Sequence, residues 1–380
     1  MQKTAVKKKN FLEFTETEYT LDNLLHGEQY EIEVDTVSHR VLSGKPLSVF
    51  QIIEPQTIDD LQPILDAENV TLQWPRPEGR VDVYHIKWYP FSNEDDFRVK
   101  EIPGNNVPIN GVLIGGLHPG NDYMFEITTE AHGLRSETTQ TRVRTMPLIT
   151  SEITVINQPE VTTALTLRYT PTPLTSSLFD TYRFMLSDAN IPVMEKAAQD
   201  PDRKVTFVDL MPGRLYNITV WTVSGGVTSK PLERQDRLHP EPVSDLNATF
   251  ITDKEIKLVW QPPLGDYDHF DVLYVDGARG DNRLTTNSTL INSITISRLR
   301  PFKNYTFSVF TISGTSTTIQ RRSAPISAQF ATKESVPGSL TAFVPVKPVK
   351  PSQITFQWDL PSTAANGIIT GILFKIQLRS

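Results

Sequence analysis

The sequence predicts an all-β chain of antiparallel β-sandwiches in tandem, and three observations predict it. A leucine followed six positions later by a tyrosine recurs four times, at Leu24/Tyr30, Leu117/Tyr123, Leu210/Tyr216 and Leu299/Tyr305, with the tyrosines 93, 93 and 89 residues apart. Between these copies a second strand pattern recurs, ending each time in a large aromatic with a proline within three residues. No long helical periodicity competes with the strands anywhere in the 380 residues.

The strand after each tyrosine is read from alternation: Ile32/Val34, Phe125/Ile127, Ile218/Val220 and Phe307/Val309 place apolar side chains on one face. The second pattern alternates in the same way, as Val70-Leu72-Trp74, Leu165-Leu167-Tyr169, Ile256-Leu258-Trp260 and Ile354-Phe356-Trp358. Pro75, Pro171, Pro262 and Pro361 then close these strands, because proline cannot donate to a ladder. A further strand follows each: Tyr84-Ile86-Trp88, Tyr182-Phe184-Leu186, Phe270-Val272-Tyr274 and Ile372-Phe374-Ile376. Residues 193–199 are the one place where a helical turn is expected, inside a longer loop.

Prolines also mark the linkers, at Pro55, Pro147, Pro240, Pro242 and Pro337. They divide the chain into complete domains over 55–146, 147–238 and 239–334. Residues 1–54 supply the late strands of a preceding copy, with Tyr30 but no core tryptophan, and 335–380 the early strands of a following one. The chain reads as a window on a longer tandem array. Short linkers with proline favour an extended rod, with three domains spanning on the order of 100 Å.

Strands at this spacing indicate immunoglobulin-like topology. Trp74, Tyr169, Trp260 and Trp358 are expected to fill the centre of each core. Tyr30, Tyr123, Tyr216 and Tyr305 fall where such sandwiches carry a tyrosine corner, the hydroxyl bonding backbone a few residues upstream. In this order the aromatic-Pro and Leu-x5-Tyr signals resemble fibronectin type III domains over essentially the whole chain. Tyr169, where the family usually has tryptophan, implies a looser core in the second complete copy.

Composition narrows the function. A net charge of −7 argues against a nucleic-acid partner held by phosphate contacts. No run of 18 apolar residues occurs, so no insertion of this segment into a membrane is expected. The absence of cysteine removes disulfide scaffolds, Cys-zinc sites and cysteine nucleophiles. The seven histidines are scattered without metal-ligand spacing, and no P-loop, dinucleotide fingerprint or nucleophile elbow occurs. No catalytic residue, metal ligand or cofactor is expected.

Five N-x-S/T sequons, at Asn69, Asn217, Asn247, Asn287 and Asn304, are candidate glycan sites. Asn69, Asn217 and Asn304 each adjoin a buried position, so alternation turns them to solvent. An Arg279-Gly280-Asp281 tripeptide could present guanidinium and carboxylate to an integrin, although a glycine-rich acidic turn also serves as a hairpin connection. Basic clusters at Arg142/Arg144, Arg203-Lys204 and Arg321-Arg322 are candidates for a glycosaminoglycan patch, with solvated strand faces as the alternative. Loops at His132-Gly133, Ser224-Gly-Gly226 and Ser313-Gly314 are candidate ligand contacts.

Longer runs are distinctive: LQWPRPEGRVDVYHIKW (72–88), RTMPLI (144–149), YTPTP (169–173), PGRLYNITVWTVSGGV (212–227) and RQDRLHPEP (234–242). In order and spacing they resemble the ectodomain of insect receptor-type tyrosine-protein phosphatases. The resemblance implies a type I, single-pass membrane glycoprotein of neurons and epithelia. Its extracellular face would bind a cell-surface or matrix protein ligand in adhesion and axon guidance, and regulate phosphotyrosine signalling through a cytoplasmic phosphatase domain. The family's catalytic loop has no counterpart here, so no catalytic residue carries over. The alternatives are a structural intracellular array and a matrix adhesion protein acting on integrins through Arg279 and Asp281.

Overall fold

The computed structural model describes residues 15, 17–107, 110–188, 190–276, 280–285, 291–340, 342–361 and 366–379. They are all-β, with no helix among them. The chain divides into two compact units, one of residues 1–148, 173–180 and 222–230, the other of 149–172, 181–221 and 231–380.

In the first unit, strand Asn69–Gln73 lies between Gln62–Leu65 and Val112–Gly115 in one sheet. The facing sheet is centred on Asp122–Ala131, whose ladder with Val83–Pro90 pairs Tyr123 with Pro90 and Val83 with Glu130. Arg98–Pro103, Leu134–Arg135 and Thr139–Arg144 complete it. Alternation decides what meets between the sheets: Val70, Leu72, Tyr84, Ile86, Phe125 and Ile127 form one dry cluster. The hairpin of Gln29–Val34 with Leu47–Ile52 also belongs to this unit.

The second unit repeats the pattern. Ile153–Ile156, Leu165–Tyr169 and Lys204–Phe207 form one sheet. Thr181–Leu186, Met194–Ala197, Leu215–Ser224 and Leu232–Arg237 belong to another. Further on, Ser244–Ile251, Ile256–Gln261 and Ser293–Ile296 face a sheet centred on His269–Asp276 and Asn304–Ser313. Their core holds Ile256, Leu258, Trp260, Phe270, Val272 and Phe307. Ala342–Lys350 pairs with Gln353–Asp359.

Four sequence expectations need correction. The turn expected at 193–199 is instead a strand, Met194–Ala197, laddered to Thr181–Leu186 from Phe184↔Met194 to Thr181↔Ala197. Its four residues are good helix formers, but a neighbouring edge offering ladder bonds outweighs propensity over one turn. The core around Tyr169 is not loose: its ring is 2% exposed and lies 4.9 Å from Tyr182 and 5.1 Å from Phe184, whose rings fill the space of an indole. Trp74 sits just past the end of its strand and, like Trp358, is half-buried rather than central. No strand forms at 372–376, where no partner ladder lies alongside among the described residues, although Phe374 packs 5.6 Å from Phe356.

Candidate functional site

The four repeat tyrosines make the same bond. The hydroxyls of Tyr30, Tyr123, Tyr216 and Tyr305 accept from the backbone N–H of Leu25, His118, Met211 and Arg300, at 2.7, 2.8, 2.9 and 2.7 Å. Each donor directly follows the repeat leucine, so the tyrosine pins the chain just before it enters the long strand. Replacing Tyr216 by phenylalanine keeps the ring and removes the acceptor. The expected loss is about 1 kcal/mol in urea unfolding, and an unchanged midpoint would exclude the bond as a stabiliser.

The pinned segments then make a second recurring contact. In the first unit, Arg80 N–H donates to the His26 carbonyl at 2.9 Å and Leu178 N–H to the Pro119 carbonyl at 2.9 Å. In the second, Asp266 N–H donates to the Pro212 carbonyl at 2.8 Å. The next residue each time is a glycine with left-handed backbone, Gly27, Gly120 or Gly213, at φ 69°, 75° and 71°. A methyl group on any of them would overlap the carbonyl oxygen of Arg80, Leu178 or Asp266. Two residues beyond each donor an aspartate orders the neighbouring loop. Asp82, Asp180 and Asp268 accept from the backbone N–H of His132, Gly225 and Gly314, at 2.9, 2.9 and 2.6 Å.

Side chains reinforce two of these three joints. Ser224 Oγ donates to the Gly120 carbonyl at 2.7 Å and accepts from Arg144 Nη1 at 3.0 Å. Ser313 Oγ donates to the Gly213 carbonyl at 2.6 Å and accepts from Arg237 Nη1 at 3.0 Å. Arg144 is held in turn by Asp122, with Nε to Oδ1 at 3.1 Å and Nη2 to Oδ2 at 2.6 Å. Burial pushes the Asp122 carboxyl up, but the Arg144 and Arg142 guanidiniums outweigh this and hold it below the usual carboxylate range. Beside this joint opens a cleft of about 400 Å³, lined among others by Phe91, Asp122, Arg144, Leu174, Leu178 and Phe179.

Two of the candidate ligand loops are therefore occupied. Ser224 is 2% exposed and Ser313 0%, both closed by the contacts above. His132 is half-buried with Gly133 open to solvent. The basic clusters are also largely engaged. Arg142 pairs with Asp122 and lies 3.7 Å over the Phe91 ring. Arg321 pairs with Asp236 at 2.7 Å, Arg322 stacks on Phe310, and Arg203 donates to the Ala198 carbonyl.

Asn217, Asn247 and Asn304 are exposed on strands, whereas Asn69 is half-buried in a central strand, paired with Gly115. Gln235 Nε2 donates to Asn217 Oδ1 at 2.6 Å. Arg279 and Asn287 lie outside the described residues, while Gly280 and Asp281 open the strand Gly280–Thr285. Among the described residues no three His, Cys, Asp or Glu side chains gather as metal ligands, and no helix is long and apolar enough to cross a membrane.

The joint glycines were not singled out from sequence. Their signal is there: Gly27, Gly120 and Gly213 each stand three residues after the repeat leucine.

The family model for the fibronectin type III domain matches residues 60–143 and 241–329. Human tenascin-N is 22% identical over 303 residues, covering 78% of this chain and 22% of that protein. Human receptor-type tyrosine-protein phosphatase H is 27% identical over 301 residues, covering 78% of this chain and 25% of that protein. The chain thus spans between 22% and 25% of the length of these two relatives. A solved two-domain fibronectin type III segment of chicken tenascin aligns at TM-score 0.36 and 21% identity, covering 48% of this chain and 98% of that one. With paired sheets and corner tyrosines on the matched residues, 60–143 and 241–329 are fibronectin type III domains, and the chain is a fibronectin type III array.

Proposed function

We propose that the chain is an extracellular segment of a cell-surface receptor, a spacer and protein-binding surface on the outer face of the plasma membrane. Its modules run over 55–146, 147–238 and 239–334, with parts of two further modules at 1–54 and 335–380. The parent is a single-pass glycoprotein of the receptor-type tyrosine-protein phosphatase kind, acting in adhesion and axon guidance. The partner is a protein of a cell surface or matrix. A glycosaminoglycan is the weaker candidate, because Arg142, Arg144 and Arg321 already face carboxylates.

The observation that carries this reading is the outward setting of three sequons on strands, at Asn217, Asn247 and Asn304. Side chains there are open to the secretory machinery without unfolding a sheet. The similarity to a receptor-type phosphatase supports it. The test is the intact mass of the whole chain, expressed through a secretory pathway, before and after glycosidase. Mass loss mapping to Asn217, Asn247 and Asn304, with Asn69 unmodified, is expected. Folded protein without glycan at any sequon would favour a structural intracellular array instead.

A further inference from the structure

We propose that the Arg144–Ser224–Gly120 and Arg237–Ser313–Gly213 contacts are clamps that lock the two joints they cross, while the joint at Gly27 opens readily. All three joints share the backbone bond and the crowded left-handed glycine. They differ in what holds that bond shut. At Gly120 and Gly213 a buried serine hydroxyl donates to the glycine carbonyl, and an arginine on the adjoining strand fixes that hydroxyl's other side. At Gly27 the position of the serine, just before the residue bonded to the aspartate, is taken by Ala131. The position of the arginine, paired two residues after the glycine, is taken by Ile52. Neither side chain can make the bonds.

After the last repeat leucine the glycine and the arginine are both missing. Phe302 stands in place of the glycine and Ala331, paired with Asn304, in place of the arginine. Phe302 holds the left-handed backbone nonetheless, at φ 49°. Clamped joints thus occur at Gly120 and Gly213, with an unclamped one before them in sequence. The clamps also take the loops at Ser224 and Ser313 out of ligand recognition and leave the unclamped His132-Gly133 loop accessible. This holds whichever compartment the array occupies, so it stands or falls apart from the glycan test.

Residue-resolved amide hydrogen exchange on the full chain tests it, since a bonded amide exchanges only when its contact opens. The Leu178 and Asp266 amides should exchange about tenfold or more slowly than the Arg80 amide, after correction for intrinsic rates, because each clamp adds one buried and one part-buried hydrogen bond. Ser224→Ala should speed Leu178 about tenfold and leave Asp266 alone, and Ser313→Ala should do the reverse. Core amides such as Ile127 and Phe307 report whether each variant stays folded, and Arg144→Gln replaces Ser224→Ala if that variant does not. Equal protection of Leu178, Asp266 and Arg80 in the unaltered chain would overturn the proposal. So would a folded Ser224→Ala or Arg144→Gln variant in which the Leu178 amide keeps its rate, or a folded Ser313→Ala variant in which the Asp266 amide keeps its rate.

Discussion

Replacing Trp260 by alanine should destabilise the domain over 241–329 by about 3–5 kcal/mol, the range for truncating a fully buried large aromatic. Trp260 is 2% exposed, and its indole meets Phe270 edge-on at 5.3 Å between centroids and 70° between planes. Its neighbours lie on both facing sheets, so neither can close the void without breaking its own ladder. The indole Nε1 is buried without an acceptor among the described residues, a cost already present in the native state. Trp260→Phe should therefore lose less than its smaller ring alone would cost, because it also removes the unpaired N–H. The half-buried Trp74 supplies the comparison: its alanine variant should lose about half as much, because less of the ring leaves water on folding. Urea unfolding read from the Val272 and Ile86 amides separates the two domains. A Trp260→Ala loss no larger than that of Trp74→Ala would mean that the core does not depend on the indole.

Asp122 should make the first unit acid-sensitive. Its carboxylate is 15% exposed and meets both Arg142 Nη2 and Arg144 Nη2 at 2.6 Å. Burial alone would raise its pKa, but hydrogen bonds and charge from the two arginines lower it on balance. A carboxylate with a folded pKa below its unfolded value, about 3.9, binds protons more readily when unfolded. Its contribution is therefore complete above the unfolded value and drains away as pH falls through the folded one. Asp122→Asn should cost about 1.5–3 kcal/mol at neutral pH, the range for hydrogen bonds to a charged group, and the gap from the unaltered chain should close in acid. Asp82, held low chiefly by the His132 backbone N–H, also titrates there, so the difference between the two chains is the quantity to follow. Parallel pH–stability curves would refute the assignment to Asp122.

Much of the fold was legible because it depends on period and punctuation. Val70-Leu72, Tyr84-Ile86 and Phe125-Ile127 alternate, and the structure puts them in one core. Leu-x5-Tyr sets a hydroxyl one residue past its leucine, five positions back along the chain, a local bond that sequence spacing alone can specify. The expected solvent face of Asn217 and Asn304 followed from the same alternation.

What sequence left open were the places where a segment's state depends on something distant. Met194–Ala197 became a strand because an edge at Thr181–Leu186 was there to receive it. Tyr169 fills a tryptophan's place because Tyr182 and Phe184 close in around it. Ser224 and Ser313 looked like free loop residues, yet they are sealed by the carbonyls of Gly120 and Gly213, 104 and 100 residues away. The arginine clusters read as either a glycosaminoglycan patch or solvated strand faces, and Asp122 and Asp236 stand beside two of them. By itself, the sequence determined the strands, their faces and the repeat, since these rest on backbone pleat and local bonding. The tertiary structure decided which loops and charges remain available, because that depends on which distant partner reaches each group before solvent does.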